Sequence, residues 1–205
     1  MIHRPLFHRR IGAGFTLIEL MVVIAVMALI ITLAAPSFQR LIQMQRLRSI
    51  TAQLVTDLQF ARAEAVQRNT LVRLSFLLAP NALVPGASSC YTIYTAPVRD
   101  PRCDCTLGPG AACPAGYTEL RTVQIPGNLA VQIGIPTTEF DTAFAFDNVT
   151  GGLWIIPTDD PPSPFDGIRI NSAIDVPRAL AIKINRSGRP TVCSPALSTM
   201  TEPAC

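Results

Sequence analysis

Gly14, Phe15, Thr16, Leu17, Ile18, Glu19 and Leu20 join a short basic leader to an apolar run that continues to Ala35. That junction constrains the chain more than any other feature, because it sets one carboxylate, Glu19, inside the run. The run spans 21 residues, enough to cross a bilayer at about 1.5 Å per residue. An unpaired carboxylate in lipid is costly, so Glu19 needs a partner. A cut between Gly14 and Phe15 creates an amine four residues before Glu19. A helix does not fold back to pair the two well, whereas a neighbouring subunit can supply its own amine. The pattern is an assembly signal rather than a catalytic one.

These residues resemble the class III signal of type IV prepilins and type II secretion pseudopilins, with Pro36 at the family's usual helix-kink position. The resemblance implies that a prepilin peptidase cuts after Gly14 and methylates the new N-terminal Phe15. It implies further that Glu19 pairs with the methylated amine of an adjacent subunit and sets axial register in a filament of pilins or pseudopilins. An ordinary secretory signal also has a basic start and an apolar core. Here the run is long for that role, and Pro36 follows the small residues that would be cut. A generic single-span anchor is the other bland alternative. Charge does not settle orientation: Arg4, Arg9 and Arg10 precede the run, while Arg40, Arg46 and Arg48 follow it, and the positive-inside rule counts both ends. Placement in the bacterial inner membrane with the head in the periplasm rests on the resemblance and on the cysteines.

Composition narrows the remaining choices. The formal charge is +3, but three of the 17 basic residues lie in the leader, leaving 14 against 14 acidic ones. No global field draws the mature chain to nucleic acid. Both histidines, His3 and His8, are in the leader, so the mature chain lacks the commonest general base and the usual triads. An enzyme is not expected, nor is a cofactor. All six cysteines, Cys90, Cys103, Cys105, Cys113, Cys193 and Cys205, lie beyond the apolar run. An even number in an exported segment points to disulfides in an oxidising compartment. Six cysteines allow 15 pairings; their grouping favours Cys193 with Cys205 and two bridges among the other four. Zinc at Cys103, Cys105 and Cys113 is the rival, but the spacing is tighter than usual and no histidine is at hand.

Helical periodicity continues past the apolar run. Leu47, Ile50, Leu54, Leu58, Ala61 and Ala65 form one stripe at steps of three and four, with Arg46, Gln53, Asp57, Arg62, Glu64 and Arg68 on the remaining faces. A helix over 15–68 would be about 80 Å long, with Pro36 kinking or locally breaking it. After Asn69 the period becomes two, predicting strands over 71–76, 90–94, 120–125, 130–133, 143–146, 168–171 and 179–184. Proline- and glycine-rich breaks fall at 79–89, 96–116 and 157–167. The expected organisation is a cleaved leader (1–14), a transmembrane or filament-core helix (15–35), an amphipathic helix half (36–69) and a β-rich head (70–205). The fold class is α+β and type IV pilin-like, a long N-terminal helix packed on a C-terminal antiparallel sheet.

The tail is similar to the head of GspH/FimT-type minor pilins: Phe144-x-Phe146 leads into Gly151-Gly152, and Ile182-x-Ile184 leads into Asn185-Arg186-Ser187-Gly188-Arg189. The cysteine-rich stretch 96–116 is not part of that pattern and reads as a decorated loop. In FimT-like proteins a Gly-Arg-x-Arg element contacts DNA. Here Gly188-Arg189 is followed by Pro190 and Thr191, so the second arginine is missing. Lys183, Arg186 and Arg189 remain the candidate DNA contacts, with a plain structural turn favoured over them. Asp159, Asp160 and Asp166 crowd one loop and offer hard ligands for calcium, but match no EF-hand spacing. Asn148-Val149-Thr150 matches a glycosylation acceptor, and the adjoining glycines suggest a turn. The expected function is a minor pseudopilin of a type II secretion pseudopilus, with a DNA-binding minor pilin of a type IV pilus as the alternative.

Overall fold

The computed structural model describes residues 15–77, 88–97, 102–135, 143–154 and 167–205. Gly14 and the Asp159, Asp160 and Asp166 loop lie outside these. The chain divides into two compact units, one ending at Leu41 and the other spanning Ile42–Cys205. One helix, α1 (Leu17–Arg68), supplies residues to both and is continuous through Pro36.

In the first unit α1 is apolar on all sides up to Ala35 apart from Glu19 and Thr32, and its residues are exposed. Its length and composition suffice to cross a membrane. In the second unit the same helix becomes amphipathic. Leu47, Thr51, Leu54, Asp57, Leu58, Ala61 and Ala65 are buried, while Ile50 is half-buried. Thr51 fits this stripe because its hydroxyl donates to the Leu47 carbonyl at 2.7 Å and lies 3.0 Å from the Ser172 hydroxyl. Asp57 corrects the sequence expectation: it faces the core, fully buried, instead of solvent. The helix ends where Asn69 turns left-handed (φ 50°) and Thr70 N–H donates to the Ala65 carbonyl, a Schellman-type stop.

Nine strands follow among the described residues: β1 (Val72–Phe76), β2 (Ser89–Thr95), β3 (Thr118–Ile125), β4 (Gln132–Gly134), β5 (Ala143–Phe146), β6 (Leu153–Trp154), β7 (Ile168–Asp175), β8 (Arg178–Ile184) and β9 (Pro190–Cys193). They form two antiparallel sheets rather than one, in the orders β3-β2-β1-β5-β6 and β4-β7-β8-β9. β4 starts two residues later than its pattern suggests. Ala130 adopts a left-handed conformation that closes the 3-10 turn Gly127–Leu129, so pairing begins only at Gln132. At the sheet edges, β4 has three residues and β6 two, β9 opens on a proline, and β3 carries a register shift opposite Ile93 and Tyr94.

Alternation explains the core. Val72, Leu74 and Phe76 of β1, Tyr91 and Ile93 of β2, and Phe144 and Phe146 of β5 face the helix. Ile168 and Ile170 of β7 and Ile182 and Ile184 of β8 join the same cluster. A smaller cluster unites Leu47, Val131, Leu180 and Met200.

The cysteine-rich segment is more than a loop decoration. It folds over the sheet face that points away from the helix. Ser75 Oγ donates to the Cys103 carbonyl at 2.9 Å, Tyr117 stacks on Tyr94 with centroids 6.1 Å apart, and Gln124 Nε2 donates to the Cys105 carbonyl. Disulfides join Cys90 to Cys105, Cys103 to Cys113 and Cys193 to Cys205. Loops of this size give about 3 kcal/mol per bridge in the chain-entropy picture.

Candidate functional site

The N-terminal site begins with Thr16. Its side chain accepts from Glu19 N–H at 3.3 Å, and its carbonyl accepts from Leu20 N–H. Thr16 is therefore the N-cap of α1 and Glu19 the third helical residue, the T-x-x-E spacing of a capping box. A carboxylate here also complements the positive end of the helix. This local role was readable in the sequence beside the expected assembly role but was not drawn from it. Phe15 and Glu19 are both exposed, and Pro36 lies within the helix.

The candidate basic turn joins β8 to β9. Asn185 organises it: its Oδ1 accepts from Arg189 N–H at 2.9 Å and from Ser187 Oγ at 2.8 Å, and its carbonyl accepts from Gly188 N–H. Gly188 has φ +77°, a conformation that costs L-residues strain. Beside it the β5–β6 turn is capped by Asp147, whose Oδ2 accepts from Val149 N–H, Thr150 N–H and Thr150 Oγ1. Those bonds, the Thr150 amide foremost, hold the Asp147 carboxyl below its ordinary pKa. Leu153 N–H donates to the Arg186 carbonyl, and Arg62 Nε donates to the Gly151 carbonyl at 3.1 Å. The two turns and the helix thus meet at one corner.

Arg186 and Arg189 are exposed at that corner. Lys183 stands apart from the turn, half-buried on β8 between Arg169 and Thr191. Asn148 donates to Asn69 Oδ1 at 2.9 Å, which gives the glycosylation-like tripeptide a structural role in the turn. Cys103, Cys105 and Cys113 each sit in a disulfide and offer no thiolate of the kind zinc needs.

A third cluster was missed in the sequence. Asp57 Oδ2 accepts from the Tyr91 hydroxyl at 2.7 Å, and Oδ1 pairs with the Arg121 guanidinium, which also lies over the Phe60 ring. Burial first, then the bond to Asp57, pushes the Tyr91 phenol above its ordinary pKa. The signal was available: Asp57 lies three residues after Leu54 and four before Ala61, squarely on the stripe. The network ties the helix to β2 and β3 and holds a charge that burial would otherwise penalise.

An apolar helix continuing into an amphipathic one, clasped by antiparallel sheets, defines a pilin-like α+β protein. Residues 51–188 match the family model described as type II transport protein GspH, and residues 9–35 match the prokaryotic N-terminal methylation motif. The chain belongs to the GspH family. No curated protein and no solved structure gives a significant match.

Proposed function

We propose that this chain is a minor pseudopilin, a structural subunit of a periplasmic type II secretion pseudopilus. The GspH match, which runs from Thr51 through strands of both sheets, supports a minor pilin or pseudopilin. The observation that tips the reading to secretion is the missing second arginine after Gly188-Arg189. In this reading prepilin peptidase cuts after Gly14 and methylates Phe15, the apolar helix half holds the subunit in the inner membrane, and Glu19 receives a neighbour's amine during assembly. A charge pair in lipid is favourable only when both partners are present, so Glu19 couples leaving the bilayer to joining the filament. The subunit works as scaffold, with no catalysis.

A second reading is a minor pilin that binds DNA for uptake. The exposure of Arg186 and Arg189 on a rigid turn favours it; the missing second arginine after Gly188-Arg189 weighs against it. A strain lacking this gene separates the two. Loss of protein export with intact DNA uptake supports the pseudopilin, provided the wild-type gene restores export. Intact export with lost uptake, unrepaired by an Arg186→Ala/Arg189→Ala gene, transfers the function to DNA binding.

A further inference from the structure

We propose that the Cys193–Cys205 bridge is a redox-sensitive clasp that fixes helix residues 43–51 to the four-stranded sheet. After β9 the chain makes a closed loop. Ser194 N–H donates to the Pro203 carbonyl at 2.7 Å, Cys205 N–H returns to the Ser194 carbonyl, and Ser194 and Ala204 form a parallel bridge. The disulfide shuts the loop across 12 residues.

That loop is seated on the helix and on the β7–β8 turn. Met200, 7% exposed, packs with Leu47, Val131 and Leu180. Glu202 Oε1 accepts from Arg48 Nε at 3.1 Å, and Thr201 Oγ1 accepts from Arg48 Nη2. Thr199 N–H donates to the Pro177 carbonyl and Ser198 Oγ to the Ala179 carbonyl. One turn further along, Arg178 Nη1 donates to Gln43 Oε1. Within 43–51 the tail holds Leu47 through Met200 and Arg48 through Thr201 and Glu202, while Gln43 and Thr51 are bonded to Arg178 and Ser172 of the sheet. Residues 54–65 belong to the main core between the sheets.

Access distinguishes this bridge. Cys205 is exposed and Cys113 only half-buried, while Cys90, Cys103 and Cys105 are 3–4% exposed. Thiol–disulfide exchange requires the attacking thiolate to reach a sulfur, so Cys193–Cys205 is the first bridge within reach and Cys103–Cys113 the next. An external dithiol attacks Cys205 Sγ and forms a mixed disulfide while Cys193 leaves as a thiolate. The dithiol's second sulfur then displaces Cys205, leaving two protein thiols and one oxidised reductant. Electrons balance as a two-electron transfer. The tail, no longer cyclised, regains the freedom that the crosslink removed, and opening becomes local.

The test uses the full chain in detergent micelles titrated with dithiothreitol, with alkylation mapping to identify the reduced bridge and hydrogen exchange to report local opening. We expect Cys193 and Cys205 to be alkylated first. Exchange across 43–51 and 194–204 should then rise about tenfold or more, with 54–65 and β1 still protected. Prior reduction of either other bridge, unchanged exchange over 43–51, or loss of protection everywhere at once would each overturn the proposal. Met200→Ala with all bridges intact provides an independent check. It should accelerate exchange over 43–51 by a smaller factor, and no change there would show that the tail does not hold the helix.

Discussion

A Cβ built on Gly188 falls 2.2 Å from the carbonyl oxygen of Gly151. Two glycines far apart in sequence thus bring their backbones together, one from each sheet. The oxygen at that junction also accepts the Arg62 bond, so a single close approach registers both turns against the helix. The small residue in the Gly-Arg turn has a structural reason to be there that requires no ligand.

Gly188→Ala should be strongly destabilising. The new methyl would meet backbone rather than a flexible side chain, at a φ that L-residues avoid, so the cost should be about 2 kcal/mol or more. Arg186→Ala and Arg189→Ala, both exposed, should stay within about 0.5 kcal/mol. Thermal unfolding of the three variants would check the contrast, and a mild Gly188→Ala effect would mean the turns can separate cheaply.

Asp57→Ala should cost about 3 kcal/mol, because it strands the Tyr91 hydroxyl and removes the anchor of Arg121. Tyr91→Phe alone should cost about 1 kcal/mol. A double-mutant cycle measured by denaturant unfolding should show coupling between the two sites; simple additivity would argue against the network.

Two opposite pH effects follow from Tyr91 and Asp175. The Tyr91 phenol is raised, so above the ordinary pKa of 10.0 the folded state retains a proton that the unfolded chain releases. Stability should fall as pH rises beyond that point, less steeply in Tyr91→Phe. Asp175 is lowered, chiefly by its bonds from Arg178. Its contribution is present above the ordinary carboxylate range and is lost as pH falls through the depressed value. With the Asp175 side chain 41% exposed, solvent screening limits this to no more than about 1 kcal/mol. Unfolding curves of Asp175→Asn from pH 7 to pH 2 would reveal it as a shallower acid limb.

Glu19→Ala should leave the head folded and the chain inserted, yet reduce filament incorporation roughly tenfold or more, given the cost of an uncompensated amine in lipid. Incorporation would be read by crosslinking to neighbouring subunits in membranes, with circular dichroism as the folding control. Unchanged incorporation would remove the assembly role and leave Glu19 as a helix-start residue beside Thr16.

The long elements were legible because their periodicity is unbroken. The stripe from Leu47 to Ala65 and the alternation in 72–76, 91–94 and 143–146 each carry a strong local pattern. β6 was not legible, since two residues, Leu153 and Trp154, have no period. Nor was β9, where Pro190 opens the strand at an edge. Asp57 escaped because a charge on a helix reads as a solvent face until its partners, 34 and 64 residues away, are known. The pairing of Cys90, Cys103, Cys105 and Cys113 depends on how the insertion folds across the sheet, which spacing alone does not encode.

The short, bulged and proline-led sheet edges have a further consequence. A partner that adds its own strand to another protein needs a run of unpaired backbone groups in register. Two and three residues at β6 and β4, the shifted pairing of β3 and the proline of β9 offer little of that. Along the described edges, copies crowded side by side would therefore gain little by fusing into a common sheet, which favours docking by side-chain shape and charge.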